Sequence, residues 1–225
     1  MTKIALFCEG VSENRMITYI TERYMGEDVT VDGIYPSVKE AHGQLVQDDF
    51  GGWKAVLDHC NEADFDSALD GHDYLIIQID TDTCHQEHYD VKTEEGGQRL
   101  PDSVIYEKVK ERILRDISED KKREYDGRII FAICFNETEC WLLPIYYENN
   151  QKQCERTNSC IYALNQVLQK QSIGIPDKAK NSPGAIKTYD KILRQMKRKN
   201  IPVFAQYNYG FKSFIDQLDK VKTDQ

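Results

Sequence analysis

Three short apolar runs in this chain each end in carboxylates, and chemistry is most legible there. Ile4-Ala5-Leu6-Phe7 leads into Cys8-Glu9-Gly10-Val11-Ser12-Glu13. Tyr74 to Ile79 leads into Asp80-Thr81-Asp82-Thr83, and Arg128 to Phe135 leads into Asn136-Glu137-Thr138-Glu139. Gathered carboxylates repel and raise one another's pKa unless cations neutralise them. Hard divalent ions such as Mg²⁺ take oxygen ligands from one or two carboxylates and keep positions open for water and phosphate oxygens. Each acid alone is a weak signal: Asp is common in turns, and Glu139 also suits a first helical turn, where it complements the dipole. Together, at three strand ends, they point to a divalent-metal site.

Such acids meet only if the strands that carry them lie side by side. In open α/β sheets, ligands bind beyond the carboxyl ends of the strands. The apolar runs read as strands buried on both faces, with Thr30 to Tyr35 a weaker fourth. Between them, Met16, Ile17 and Ile20 follow Ser12 at helical spacing. Ile105, Val109, Ile113, Leu114 and Ile117 share one side of a helix that Asp102 or Ser103 can cap. The expected fold class is therefore α/β, a mainly parallel sheet sandwiched by helices. Gly10 is expected to permit a tight strand-to-helix turn, and the helix after it to favour anions at its N-terminus. As the chain turns after the third strand, Asp80 and Asp82 are both expected to face the crevice. Beyond about residue 150 the pattern becomes helical: Ile161, Leu164 and Leu168, then Ser182-Pro183 opening a helix with Ile186, Tyr189, Leu193 and Met196, then Phe211, Phe214, Ile215 and Leu218. The expected organisation is an α/β core over 1–150 and a helical C-terminal extension over 151–225 packed on it. Residues 38–52 and 84–100 show no periodicity; the second stretch leaves the Asp80-Thr81-Asp82 motif directly and carries His85 and His88.

The chain has 225 residues, 40% hydrophobic and 30% charged, a globular composition long enough to hold a core without disulfide or metal. No apolar run approaches the ~20 residues that span a bilayer, and Met1-Thr2-Lys3 opens no signal peptide. A cytoplasmic protein without membrane association is expected. The seven cysteines are odd in number and form no CxxC pair, so reduced thiols are the expectation. The net charge of −9 argues against a purely electrostatic nucleic-acid binder, but it is unevenly spread. Residues 170–200 carry nine basic side chains against Asp177 and Asp190, leaving −16 on the remainder. An acidic metal-binding body with a basic face for polyanions fits that split, with Lys187, Lys191, Arg194, Lys197, Arg198 and Lys199 as nucleic-acid contacts. A solvated helix face explains the same charges without a ligand.

Strand-Glu9-Gly10-x-x-Glu13-helix, followed by a strand ending Asp80-x-Asp82, resembles the TOPRIM fold of topoisomerases, bacterial primases, OLD-type nucleases and small stand-alone phage-defence proteins. Cys8 to Glu13 is similar to the opening of the OLD-like and defence-associated branch. Glu137-Thr138-Glu139-Cys140-Trp141-Leu142-Leu143 resembles a segment of the small stand-alone members. The resemblance covers about residues 3–145. It implies a metal-dependent nuclease acting on DNA or on tRNA or another RNA, with Mg²⁺ or Mn²⁺ held by Glu9, Asp80 and Asp82. Glu13 and Glu139 match more loosely, as second-metal or water-positioning groups. It also implies work beside an ATPase partner, in a homo-oligomer or hetero-complex. The lysine that often assists OLD-type sites has no assigned position; Lys39, Lys92 and Lys212 are candidates.

Other readings compete. Asp80-Thr81-Asp82-Thr83 fits the opening of haloacid-dehalogenase-type phosphatases, with Asp80 as nucleophile and Asp82 as acid, but it follows a complete strand-helix-strand unit and leaves Glu9 unexplained. Cys84, His85 and His88 are competent zinc ligands without a spaced fourth. Trp141, Leu142 and Leu143 read as core; Tyr207, Tyr209 and Phe211 near Lys212 suit docking of the last helix, though aromatics interleaved with a cation also suit stacking on nucleotides. A non-catalytic TOPRIM-like subunit or sensor is the alternative outside enzymology.

Overall fold

Side chains alternate across a strand, so a strand with apolar residues at every position must be covered on both sides. A computed structural model of the chain, describing residues 1–41, 44–47, 51–176 and 179–223, shows such a sheet. In chain order, β1 is Thr2–Phe7, α1 Val11–Met25 and β2 Val29–Tyr35. A hairpin of β3 (Val38–Ala41) and β4 (Gln44–Gln47) follows, then α2 (Trp53–Asp58), α3 (Glu62–Asp70) and β5 (Tyr74–Asp80). A small hairpin, β6 (Glu94–Glu95) and β7 (Gln98–Arg99), precedes α4 (Asp102–Ile113), α5 (Glu119–Glu124) and β8 (Ile129–Cys134). The central sheet runs β2-β1-β5-β8 and is parallel throughout. From β1 the chain steps outward to β2, then returns past β1 to β5. The switch point, where crevices open in such folds, therefore falls at the carboxyl ends of β1 and β5.

The remaining elements are helical. A 3-10 turn over Thr138–Leu142 follows β8, then α6 (Pro144–Tyr147), α7 (Gln151–Cys154), α8 (Cys160–Leu168), α9 (Pro183–Leu193), α10 (Ile201–Ala205) and α11 (Tyr209–Thr223). Ser182 caps α9 through the Ala185 N–H, with Pro183 at its first position, as the Ser-Pro pair predicts. Asp102 lies inside the first turn of α4 rather than capping it, because Pro101 takes the cap position.

One face of the sheet (Ile4, Leu6, Ile76, Ile130, Ala132) shares a core with α1, α8, α9, α10 and α11. The other (Ala5, Phe7, Leu75, Ile77, Ile79, Phe131) packs on α2, α3 and α4. The helices beyond residue 150 thus pack on the core and form most of one of its two covering layers. Trp141 lies in that layer, its ring stacked on Phe211 at 4.6 Å. Helix α11 runs along the outer edge of β8. There the Gln217 side chain accepts from the Phe131 N–H at 2.9 Å and donates to the Phe131 carbonyl at 3.1 Å. Gly210 touches the same strand: a Cβ at this position would stand 2.0 Å from the Ile133 carbonyl oxygen.

The expectation of uniformly reduced thiols needs correction. Cys140 and Cys160 form a disulfide, while Cys8, Cys60, Cys84, Cys134 and Cys154 are free and buried. The Glu137 carboxylate accepts from the N–H groups of Cys160 and Ile161 at 3.0 and 3.3 Å. That capping contact brings the start of α8 against the 3-10 turn and sets the two cysteines face to face. Among the described residues, no helix is long and apolar enough to cross a membrane.

Candidate metal centre

Strand parity decides which acids meet. On β5, Ile76, Gln78 and Asp80 share the face that carries α1 and α9, so Asp80 leaves the strand toward that layer. Glu13, in the first turn of α1, comes down from the layer itself. Glu139 rises from the 3-10 turn after β8, whose last residue, Cys134, pairs with Asp80. Glu13, Asp80 and Glu139 are buried, and one carboxylate oxygen from each lies within 4.8 Å of the others.

A cation already stands among them. Lys180 Nζ is 2.5 Å from Glu13 Oε1, 3.7 Å from Glu139 Oε1 and 3.9 Å from Asp80 Oδ2. Burial alone would raise the Glu13 carboxyl, but the Lys180 ammonium, by charge and hydrogen bond, holds it below the usual range. Burial pushes Asp80 well up, with Glu9 adding to the rise, and burial also raises Glu139. Burial would lower Lys180, yet the three carboxylates outweigh it and keep the amine protonated. One ammonium does not balance three buried carboxyls, so proton uptake relieves the rest.

A second set of contacts fixes these groups. Buried Gln78 donates from Nε2 to Asp80 Oδ1 (3.0 Å) and Thr138 Oγ1 (2.9 Å), while its Oε1 accepts from the Glu9 N–H (3.1 Å). Thr138 donates to Asp80 Oδ1 at 2.6 Å, so Oδ1 is held and Oδ2 faces the lysine. Tyr189 of α9 donates to Glu139 Oε1 at 2.6 Å. Glu139 Oε2 is buried without a hydrogen-bond partner. An orphaned carboxylate oxygen is costly unless a cation or proton meets it. The hard, all-oxygen donor set with this orphan fits Mg²⁺ or Mn²⁺.

The other expected site residues are placed differently. Glu9 turns Oε1 onto the Asp80 N–H at 2.6 Å, at the rim of the triad. Asp82 is exposed in the turn after β5. Thr81 still continues the ladder through the Cys134 carbonyl, and Asp82, just beyond it, lies near enough to Glu9 for its charge to add to the rise of that carboxyl. Glu9, Asp80 and Asp82 do not form a ligand cluster among the described residues; Glu13, Asp80 and Glu139 do. His85 and His88 are exposed. Gly10 adopts an extended conformation open to any residue. Its need is close approach, because a Cβ there would meet Asn181 and Glu13 side-chain atoms at 2.9 Å. The N-terminus of α1 is filled by the chain itself, with the Ser12 N–H donating to Asn181 Oδ1 at 3.0 Å.

Of the candidate lysines, Lys212 pairs with Asp216 and Lys92 is exposed in the loop before β6. The side chain of Lys39 lies outside the described residues, as do Lys178 and Asp177 of the basic segment. Lys180 came into view at the sequence level only as part of that segment's charge. Gln78 carried a readable signal, a single polar residue inside an otherwise apolar strand, which must find partners when buried. Lys187, Lys191 and Arg194 line one exposed face of α9, at four- and three-residue spacing, without ion pairs among the described residues. Lys197 and Lys199 are exposed just beyond. Arg198 is committed elsewhere, donating to the Tyr24 and Met25 carbonyls at 3.0 and 3.2 Å at the end of α1.

Compared with known proteins, the chain matches no family model, no curated protein and no solved structure.

Proposed function

We propose that this chain is a divalent-metal-dependent nuclease, hydrolysing phosphodiester bonds of DNA or RNA from a TOPRIM-like arrangement of strand-end acids. The observation that carries the reading is the convergence of Glu13, Asp80 and Glu139, from three separate elements, at the sheet's switch point. These three would hold Mg²⁺ or Mn²⁺. The chemistry supplied by the bound ion is activation of water and neutralisation of charge on phosphate oxygens. Gln78 and Thr138 fix Asp80, and Tyr189 fixes Glu139, so the oxygens are set before substrate arrives. Glu9, its carboxyl pushed up to about 8 by burial, is suited to exchange a proton near neutral pH. The stripe of Lys187, Lys191 and Arg194 runs along the exposed face of the helix that brings Tyr189 to Glu139, and would bind a phosphate backbone beside the site. The resemblance extends the proposal to a cytoplasmic effector of a phage-defence or mobile-element system, with an ATPase partner. The Cys140–Cys160 bridge is unusual for a reducing compartment.

Plasmid DNA and total tRNA, incubated with wild type, Asp80→Asn and Glu139→Gln in Mg²⁺ or Mn²⁺, test the reading. Wild type is expected to cut one of them, and each variant to lose at least about 100-fold with its fold intact. Cleavage that survives in both variants would remove the triad from the chemistry. Wild type that binds metal but cuts neither substrate would favour the non-catalytic subunit.

A further inference from the structure

The cation position among Glu13, Asp80 and Glu139 is held by the chain's own ammonium. Lys180 Nζ lies within 4.0 Å of all three carboxylates. A divalent ion bound to the same oxygens would stand about 2.0–2.6 Å from each, inside the shell where the ammonium now sits, and like charges at such separations repel strongly. Both cations cannot keep their places. Lys180 is also the outermost member of the cluster: its side chain is 30% exposed, against 1% for Glu13, 7% for Asp80 and 0% for Glu139. Its attachment is local. Asn181 Oδ1 lies 3.0 Å from the Ser12 N and 2.9 Å from Ser12 Oγ, and Ser182 then begins α9. Residues 179–182 therefore form a short strap, tied to α1 among the described residues by Asn181 on Ser12 and by Lys180 on Glu13.

We propose that Lys180 is a displaceable internal counter-ion, which closes the acid triad against divalent ions and swings out with the 179–182 strap when one binds. The inference rests on the metal reading above and adds its regulation. Lys180 approaches Glu139 through Oε1, while buried Oε2 has no hydrogen-bond partner among the described residues, an oxygen that a divalent ion could engage. Once expelled, the ammonium stands at the head of the α9 stripe, so metal entry adds a cation to the polyanion surface and sets an order of binding, metal before substrate.

The test is Mn²⁺ titration of the full chain, followed by electron paramagnetic resonance, for wild type, Lys180→Met and Asn181→Ala. Lys180→Met is expected to bind Mn²⁺ at least tenfold more tightly. Asn181→Ala, which keeps the charge but frees the strap, is expected to tighten binding by a smaller factor. In wild type, acylation of Lys180 by an amine reagent, read by mass spectrometry, is expected to rise several-fold at saturating Mn²⁺. Equal or weaker Mn²⁺ binding by Lys180→Met, where wild type binds, overturns the inference and leaves the metal reading standing. If Lys180→Met does not fold, the labelling decides alone, and Lys180 reactivity unchanged by bound Mn²⁺ overturns the inference. Mn²⁺ binding to neither wild type nor Lys180→Met would sink the metal reading itself.

Discussion

Glu9 shows how one half-buried carboxyl ties the site to the stability of the whole chain. Burial pushes it from 4.5 up to about 8, partly offset by the hydrogen bond from the Asp80 N–H. An acid raised in the folded state stabilises the fold while protonated, and that contribution disappears as pH rises from about 4.5 through about 8. Glu9→Gln is neutral throughout and escapes the loss. Its melting temperature is expected to match wild type below about pH 4 and to exceed it by several degrees at about pH 9. Thermal melts in metal-free buffer check this; an identical gap at both pH values would mean that Glu9 is not titrating in this window. The acids of the site were visible in the sequence because each ends an apolar run, a feature of local spacing. Lys180 was not: it meets Glu13 across 167 residues, and nothing around it distinguishes it from its neighbours Lys178 and Lys187. Asp82, expected to face the crevice with Asp80, is exposed in the turn after β5 and joins no ligand cluster among the described residues.

At the scale of elements, the same run of basic residues divides into two jobs. Lys187, Lys191 and Arg194 point outward from α9, whereas Arg198 closes the carbonyl end of α1. Reversing the first three to Glu is expected to weaken polyanion binding and to flatten its dependence on salt by about 2–3 in logarithmic slope. Arg198→Ala is expected instead to lower the melting temperature and leave that slope alone. Fluorescence anisotropy across a salt series separates the two, and an unchanged slope in the triple variant would return α9's outer face to plain surface. The four strands, α1, α9 and α11 were readable from apolar periodicity and from the Ser182-Pro183 cap. The β3–β4 hairpin, α2 and α3 were not, because these short pieces show too few turns or alternations for a period to emerge.

For the whole molecule, the change of character near residue 150 marks a change of layer. Residues beyond it supply Leu164, Ile192 and Phe214 to the core of β1 and β5, and they bring Lys180, Asn181 and Tyr189 to the acids. Cutting the chain at 150 would take α8 to α11 off one sheet face, leaving α1 there, and remove Cys160, the disulfide partner of Cys140. A 1–150 fragment is therefore expected to show no cooperative unfolding transition by calorimetry, and a sharp one would make it an independent domain. The fit of α11 along β8 has a consequence of another kind. A bare outer strand is a template on which a neighbouring chain can lay its own backbone. Gln217 answers both hydrogen-bonding groups of Phe131, and the missing side chain at Gly210 lets the helix lie flush beside Ile133. Together they keep the sheet from growing from one copy to the next. Damage at Gly210 would thus be felt first as polymerisation, in molecules whose acids remain in place.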